Sequence, residues 1–181
     1  MLRSTITLAL ALAALPTLAS AALPVGAKAP EFATQVSLAG KPMPFSLKQA
    51  LKKGPVVLYF YPAAFTSGCT IEAHDFAEAT DDFKKNGATV IGMSADPIDK
   101  LNKFSVSECR NKFAVGSATP QTIAAYDVTL PVKPTISNRT SYVIAPDGKV
   151  IFSYSNLTNP TEHITRTKAA VKAWRAAHPK K

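Results

Sequence analysis

The chain has 181 residues and carries 21 lysines and arginines against 12 acidic residues, a formal charge of +9. The basic residues are scattered through "KKGP", "DDFKKNG", "DKLNKF" and "WRAAHPKK" without a long basic run or interleaved aromatics, which argues against nucleic-acid recognition and leaves only weak attraction to anionic surfaces. Two cysteines in this length are too few to staple a fold, so they form one disulfide or are kept for chemistry.

The opening "MLRSTITLALALAALPTLASA" joins a positive Arg3 to an apolar stretch and to the small residues Ala19, Ser20 and Ala21, the pattern of a secretory signal cleaved after Ala21. Its apolar run is shorter than the roughly 20 residues of a spanning helix, and no later stretch reads as membrane-spanning. The expectation is a signal over residues 1–21, one domain over residues 22–181, and export across the inner membrane to the periplasm.

Residues 22–32 are Pro-rich and extended. "ATQVSLAGKPMPFSL" alternates around Ala39-Gly40 and predicts an N-terminal β-hairpin. "LKQALKK" is a helical turn or two, ended by Gly54-Pro55. Residues 56–61, "VVLYFY", form a continuous apolar run, as in a strand buried on both faces. In "CTIEAHDFAEATDDFKKNG", Ile71, Phe76, Ala79 and Phe83 share a helical face, and Asn86-Gly87 closes the helix. "ATVIGMSA" is a second buried strand, and Asp96-Pro97 opens a helix over "IDKLNKFSVSEC". Strand, helix, strand and helix in this order predict a right-handed βαβ unit with a parallel sheet. There follow a short apolar piece, "KFAV", a helix over about residues 120–126 and an irregular stretch over 128–138. "TSYVIAPDGKVIFSYS" reads as two alternating strands around Pro146-Asp147-Gly148, and "PTEHITRTKAAVKAWRAAH" as the closing helix. The fold class is α/β, a mixed β-sheet flanked by helices with an N-terminal β-hairpin.

Parallel sheets present functional groups at the carboxyl ends of their strands, and Cys69 follows such an end. With Thr66 or Ser67 as N-cap, Cys69 falls in the first helical turn, where free N–H groups and the helix dipole favour a thiolate. The competing reading is a buried, inert cysteine, and placement alone leaves both open. Apart from His74, no Cys or His follows Cys69 at a ligand spacing, so a metal site is not expected. Glu72, three residues on, either receives a hydrogen bond within the site or simply stabilises the helix N-terminus as a first-turn carboxylate, and the second reading is preferred.

The segment "PAAFTSGC", residues 62–69, fits the Pro-x-x-x-Thr-x-x-Cys signature of the peroxiredoxins. "PVVLYFYP", "GATVIGMSAD" and "RTSYVIAPDGKV" resemble the flanking strands of that family in the same order. The similarity is nearest to the Q-type branch, the bacterioferritin comigratory proteins, and runs from about residue 23 to the C-terminus. It implies a thioredoxin-like fold and reduction of hydrogen peroxide or organic hydroperoxides without metal, flavin or other cofactor. Cys69 matches the peroxidatic cysteine, Thr66 the residue that orients peroxide and thiolate, Pro62 the shield of the pocket, and Arg139 the family's second donor at the start of a later strand. The implied partners are a peroxide and a thioredoxin-like or other thiol reductant, and the chain is expected to be a monomer.

Two positions depart from the family pattern. His74 stands where many relatives hold a second thiol, and is read as solvent-facing or capping. "GSATP" replaces the usual Ser-Asp turn. Cys109 is the remaining partner candidate and has three readings: a resolving cysteine, as the resemblance implies; a bystander; or half of a permanent disulfide. The serines and charged residues around it give that segment a marginal look suited to local opening. Rival functions are a thiol–disulfide oxidoreductase, which lacks here its Cys-x-x-Cys, and a binding or holdase protein of the envelope with idle thiols.

Overall fold

The structure is a computed structural model and describes residues 22–179; the signal expected over residues 1–21 lies outside the described residues. A seven-stranded mixed sheet forms the centre, in the order β2-β1-β5-β4-β3-β6-β7. In chain order the elements are β1 (Ala33–Leu38), β2 (Lys41–Ser46), α1 (Leu47–Leu51), β3 (Val56–Phe60), α2 (Ser67–Lys85), β4 (Thr89–Ser94), α3 (Ile98–Ser107), β5 (Ala114–Ser117), α4 (Pro120–Ala125), β6 (Thr140–Ile144), β7 (Val150–Ser155) and α5 (Pro160–Ala177). Strands β3, β4 and β5 run parallel, while β1, β2, β6 and β7 join antiparallel.

The two-residue period of a strand explains why the central run is apolar throughout. Val57, Tyr59 and Tyr61 point to a core shared with Phe76, Phe83, Phe104 and Val171 from α2, α3 and α5. Val56, Leu58 and Phe60 point to the other face, against Leu47, Leu51, Ile123 and Tyr126. Every residue of β3 is buried. Gly92 in β4 leaves room for the Tyr59 ring: a Cβ there would stand 2.6 Å from that ring.

Five local expectations change. β6 is buried at every position instead of alternating, because it lies between β3 and β7 with a core on each face. Ile71 is 48% exposed and takes no part in the core face of α2. The fifth strand begins at Ala114, where its register with Ile91 in β4 starts. Helix α3 ends at Ser107, so Cys109 lies two residues beyond it, in the turn that follows. Ser105 is also no mark of looseness: it is fully buried, meets Ser37 Oγ at 3.0 Å and accepts from Gly40 N at 2.9 Å, tying α3 to the β1–β2 hairpin.

Candidate active site

Strand β3 delivers the chain to its carboxyl end and stops there for a local reason. Tyr61 N still donates to Met93 O at 3.0 Å, but Pro62 has no N–H to continue the ladder. The next turn is held from β4: Ala64 N donates to Asp96 Oδ2 at 2.7 Å, and Ser94 Oγ donates to the same oxygen at 2.9 Å. Phe65 takes a left-handed backbone, φ 67°, and sets its ring edge-on to Phe104 at 5.2 Å. Thr66 is the N-cap, with φ −85° and ψ 150°. Its hydroxyl donates to Ala63 O at 3.0 Å and makes no bond to the helix N–H groups.

Cys69 is the third residue of α2 and is 2% exposed. Its sulfur therefore lies in the turn whose N–H groups lack helical partners. Arg139 arrives from far along the chain. Because β6 pairs antiparallel with β3 and Thr140 stands opposite Phe60, the residue before Thr140 falls just past the end of β3. Its guanidinium, 4% exposed, donates from Nη2 to Cys69 Sγ at 3.5 Å, from Nε to Leu157 O at 3.1 Å, and from Nη1 to Glu72. Gly68 permits this approach, since a Cβ there would stand 3.0 Å from Nη2.

Glu72 takes the less favoured of its two sequence readings, accepting a hydrogen bond within the site. It is fully buried under Arg139 and does not serve as a solvated first-turn carboxylate. Burial pushes its carboxyl up, to about 8, against the pull of the Arg139 guanidinium. His163 of α5 lies beneath it, with Nδ1 3.9 Å from Glu72 Oε1. The imidazole is closed off by hydrogen bonds: Nε2 meets Asn156 O at 2.9 Å and Nδ1 meets Ser141 Oγ at 2.8 Å. A carbonyl only accepts, so Nε2 carries the proton and Nδ1 accepts from the Ser141 hydroxyl. Burial drives His163 down to about 4, which keeps it neutral.

The expected site residues are thus brought together unevenly. Pro62, half-buried, Thr66 and Cys69 belong to one continuous segment, and Arg139 joins them through the β3–β6 register. Cys109 lies in the same core cluster as Cys69, but both cysteines are free thiols. Cys109 is wholly buried, and burial pushes its thiol far above the ordinary range. His74 caps no helix end: its side chain is 34% exposed and bonds Glu108 Oε2 through Nε2 at 2.9 Å. Among the described residues no group of three or more His, Cys, Asp or Glu is placed to hold a metal ion.

Sequence reasoning missed Asp96, Ser141 and His163. Asp96 had a usable signal, since it directly follows a buried parallel strand. Ser141 and His163 had none beyond being polar residues in apolar surroundings.

The profile of the AhpC/TSA family matches residues 25–153. Chloroplastic peroxiredoxin Q of Sedum lineare is 32% identical over 143 residues, covering 74% of this chain and 76% of that protein. The crystal structure of peroxidoxin BcpB from Mycobacterium tuberculosis superposes with a TM-score of 0.73 at 32% identity, covering 82% of this chain and 96% of that one. Enterococcus faecalis AhpC shares the fold at 20% identity, with a TM-score of 0.73, over 87% of this chain and 96% of that one. The chain belongs to the AhpC/TSA family and, within it, to the Q-type peroxiredoxins, which are thiol-dependent peroxidases.

Proposed function

We propose that Cys69 is the peroxidatic thiol of this peroxidase and that Cys109 resolves it. The observation that carries the first half is the Arg139 Nη2 donor 3.5 Å from Cys69 Sγ, on a sulfur that also lies in the first turn of α2. Both groups favour negative charge on sulfur. The Cys69 thiolate attacks one peroxide oxygen, the O–O bond breaks, and the leaving oxygen departs as water or an alcohol once protonated. Donors aimed at the oxygen that gathers charge lower this barrier; Arg139 and the Thr66 hydroxyl are the two candidates. Pro62 covers the approach.

Cys69 is left as a sulfenic acid. In the second half the Cys109 thiol displaces water from it, giving a Cys69–Cys109 disulfide. Shared membership of one core cluster and the absence of any further cysteine support this pairing over a bystander Cys109. A thioredoxin-like or other dithiol donor then restores both thiols. The enzyme acts as a monomer in this reading, with Cys109 of the same core cluster as the partner of Cys69. The leader over residues 1–21 directs the enzyme to the periplasm, where the reductant must be an exported one.

One experiment tests the cycle: a mass and peptide map of the reduced protein after one equivalent of hydrogen peroxide. Loss of two hydrogens with a Cys69–Cys109 peptide is expected. Oxygen added at Cys69 without a cross-link would replace the two-cysteine cycle by a one-cysteine cycle, and undiminished peroxide consumption by Cys69→Ser would remove Cys69 from the mechanism.

A further inference from the structure

Helix α2 carries His74, Glu78 and Asp81 at helical spacings of four and three, hence along one face. Each bonds a residue of the turn that holds Cys109: His74 with Glu108 at 2.9 Å, Glu78 with Arg110 at 3.1 Å, and Asp81 with Lys112 at 3.3 Å. The partners advance in step, two residues along the turn for each turn of the helix. These bonds therefore form a row that fastens the 108–112 segment to α2 on either side of Cys109.

Within that segment the backbone is set against itself. Arg110 and Asn111 both adopt left-handed conformations, φ 49° and 59°, which L residues with a Cβ disfavour. Three hydrogen bonds close the turn: Cys109 N to Phe104 O at 3.1 Å, Asn111 N to Ser105 O at 3.0 Å, and Lys112 N to Cys109 O at 2.9 Å. Opening relieves the two left-handed residues and costs the turn bonds and the row of side-chain bonds. A disulfide needs the two Cα atoms within about 7 Å and a defined Cβ geometry, and Cys109 is wholly buried and closed into its turn by these bonds.

We propose that His74, Glu78 and Asp81 are positioning residues for the disulfide step, forming a clasp that holds Cys109 shut and sets the rate at which it is released to Cys69. The inference rests on the reading of Cys109 as the resolving thiol. In the step so gated, the S–O bond of the Cys69 sulfenic acid breaks, the S–S bond forms, and the Cys109 proton leaves with the hydroxide as water. No further oxidant is consumed.

The test separates the clasp from the cycle. In a Cys69→Ser background, the rate at which N-ethylmaleimide labels Cys109 reports opening alone. Glu78 and Asp81 are exposed, so Glu78→Gln and Asp81→Asn leave the fold intact, as far-ultraviolet circular dichroism can verify. Exposed pairs of this kind are worth about a two- to five-fold change each in an opening equilibrium. The double variant is therefore expected to label about four- to twenty-five-fold faster than its parent. Added 0.5 M sodium chloride should speed the parent in the same direction and the double variant much less. Exchanging the charges, Glu78→Arg with Arg110→Glu, should return the rate to within about two-fold of the parent, which a merely packing role would not produce. Equal labelling rates in parent and double variant, or a charge exchange that labels as fast as Glu78→Gln, would overturn the clasp. With both cysteines present, failure of peroxide to yield any Cys69–Cys109 disulfide would instead overturn Cys109 as the resolving thiol, whatever the labelling rates.

Discussion

The buried imidazole beneath the site makes a quantitative demand on stability. His163 is fully buried and titrates near 4 in the folded chain against 6.5 as the ordinary value. Between those two pH values the unfolded chain binds a proton that the folded chain does not, so stability rises with pH across the window. The contribution is complete above pH 6.5 and is lost as pH falls toward 4. Integrated, it removes about 2 kcal/mol between pH 8 and pH 5, and about 3 kcal/mol by pH 3.5. Glu72 acts with the opposite sign: its carboxyl is raised to about 8, so its contribution is present below the ordinary carboxylate range and is lost as pH rises through 8. Comparison with His163→Gln cancels that second effect, because Glu72 remains in both proteins. Urea unfolding of wild type and His163→Gln, reduced, at pH 8 and pH 5, should show the stability difference between them shrinking by about 2 kcal/mol in acid. A difference that is the same at both pH values would mean that His163 is not held neutral, and the electrostatic reading of the buried layer would fail.

The remaining predictions concern the groups around Cys69. Gly68→Ala places a Cβ 3.0 Å from Arg139 Nη2; stopped-flow oxidation of Cys69 by hydrogen peroxide should slow about 10- to 100-fold, the scale of one misplaced donor. At pH 9, above the raised Glu72 value of about 8, Arg139→Leu strands the Glu72 carboxylate in the core and should cost about 3–5 kcal/mol in urea unfolding. Adding Glu72→Gln to that variant should restore at least about 1 kcal/mol, a coupling that independent sites would not show. Gly92→Ala sets a methyl 2.6 Å from the Tyr59 ring and should destabilise by about 1–3 kcal/mol in the same assay.

What could be read from the sequence was what neighbours along the chain decide. Pro62 ends β3, Thr66, one of the two expected N-cap positions, precedes α2 without a side-chain cap bond, and Cys69 falls in the first turn; each rests on a few adjacent residues. Asn86 and Gly87, φ 76°, close α2 for the same kind of reason. The Arg139–Glu72 pair spans 67 residues, and only the β3–β6 register brings it together. A reading that sees Glu72 three residues after Cys69 has no way to learn that a guanidinium will cover it. The full burial of β6 is likewise a matter of which strands flank it. Cys109 fell outside its expected helix because its position depends on backbone left-handedness at Arg110 and Asn111, residue types that do not advertise it as glycine would.

The buried layer explains why the donor at Cys69 is an arginine and why so much polarity lies underneath it. A guanidinium presents its N–H groups in a fixed plane, and two of its three nitrogens are taken before sulfur is reached: Nε by Leu157 O and Nη1 by Glu72. With those two held, rotation of the plane is blocked and Nη2 has one direction left, toward Cys69 Sγ. Glu72 keeps its own place because it grows from α2 one turn after Cys69, so thiol and carboxyl ride on the same rigid element. His163, fastened at both nitrogens by Ser141 and Asn156, fills the floor without adding a second positive charge that would compete with Arg139 for Glu72. Burial of a carboxyl is costly by itself; here the cost is offset by Arg139, and what the arrangement secures is the aim of a single donor on a single sulfur. Direction, more than charge, is therefore what Arg139 adds to a thiol already lying at a helix N-terminus.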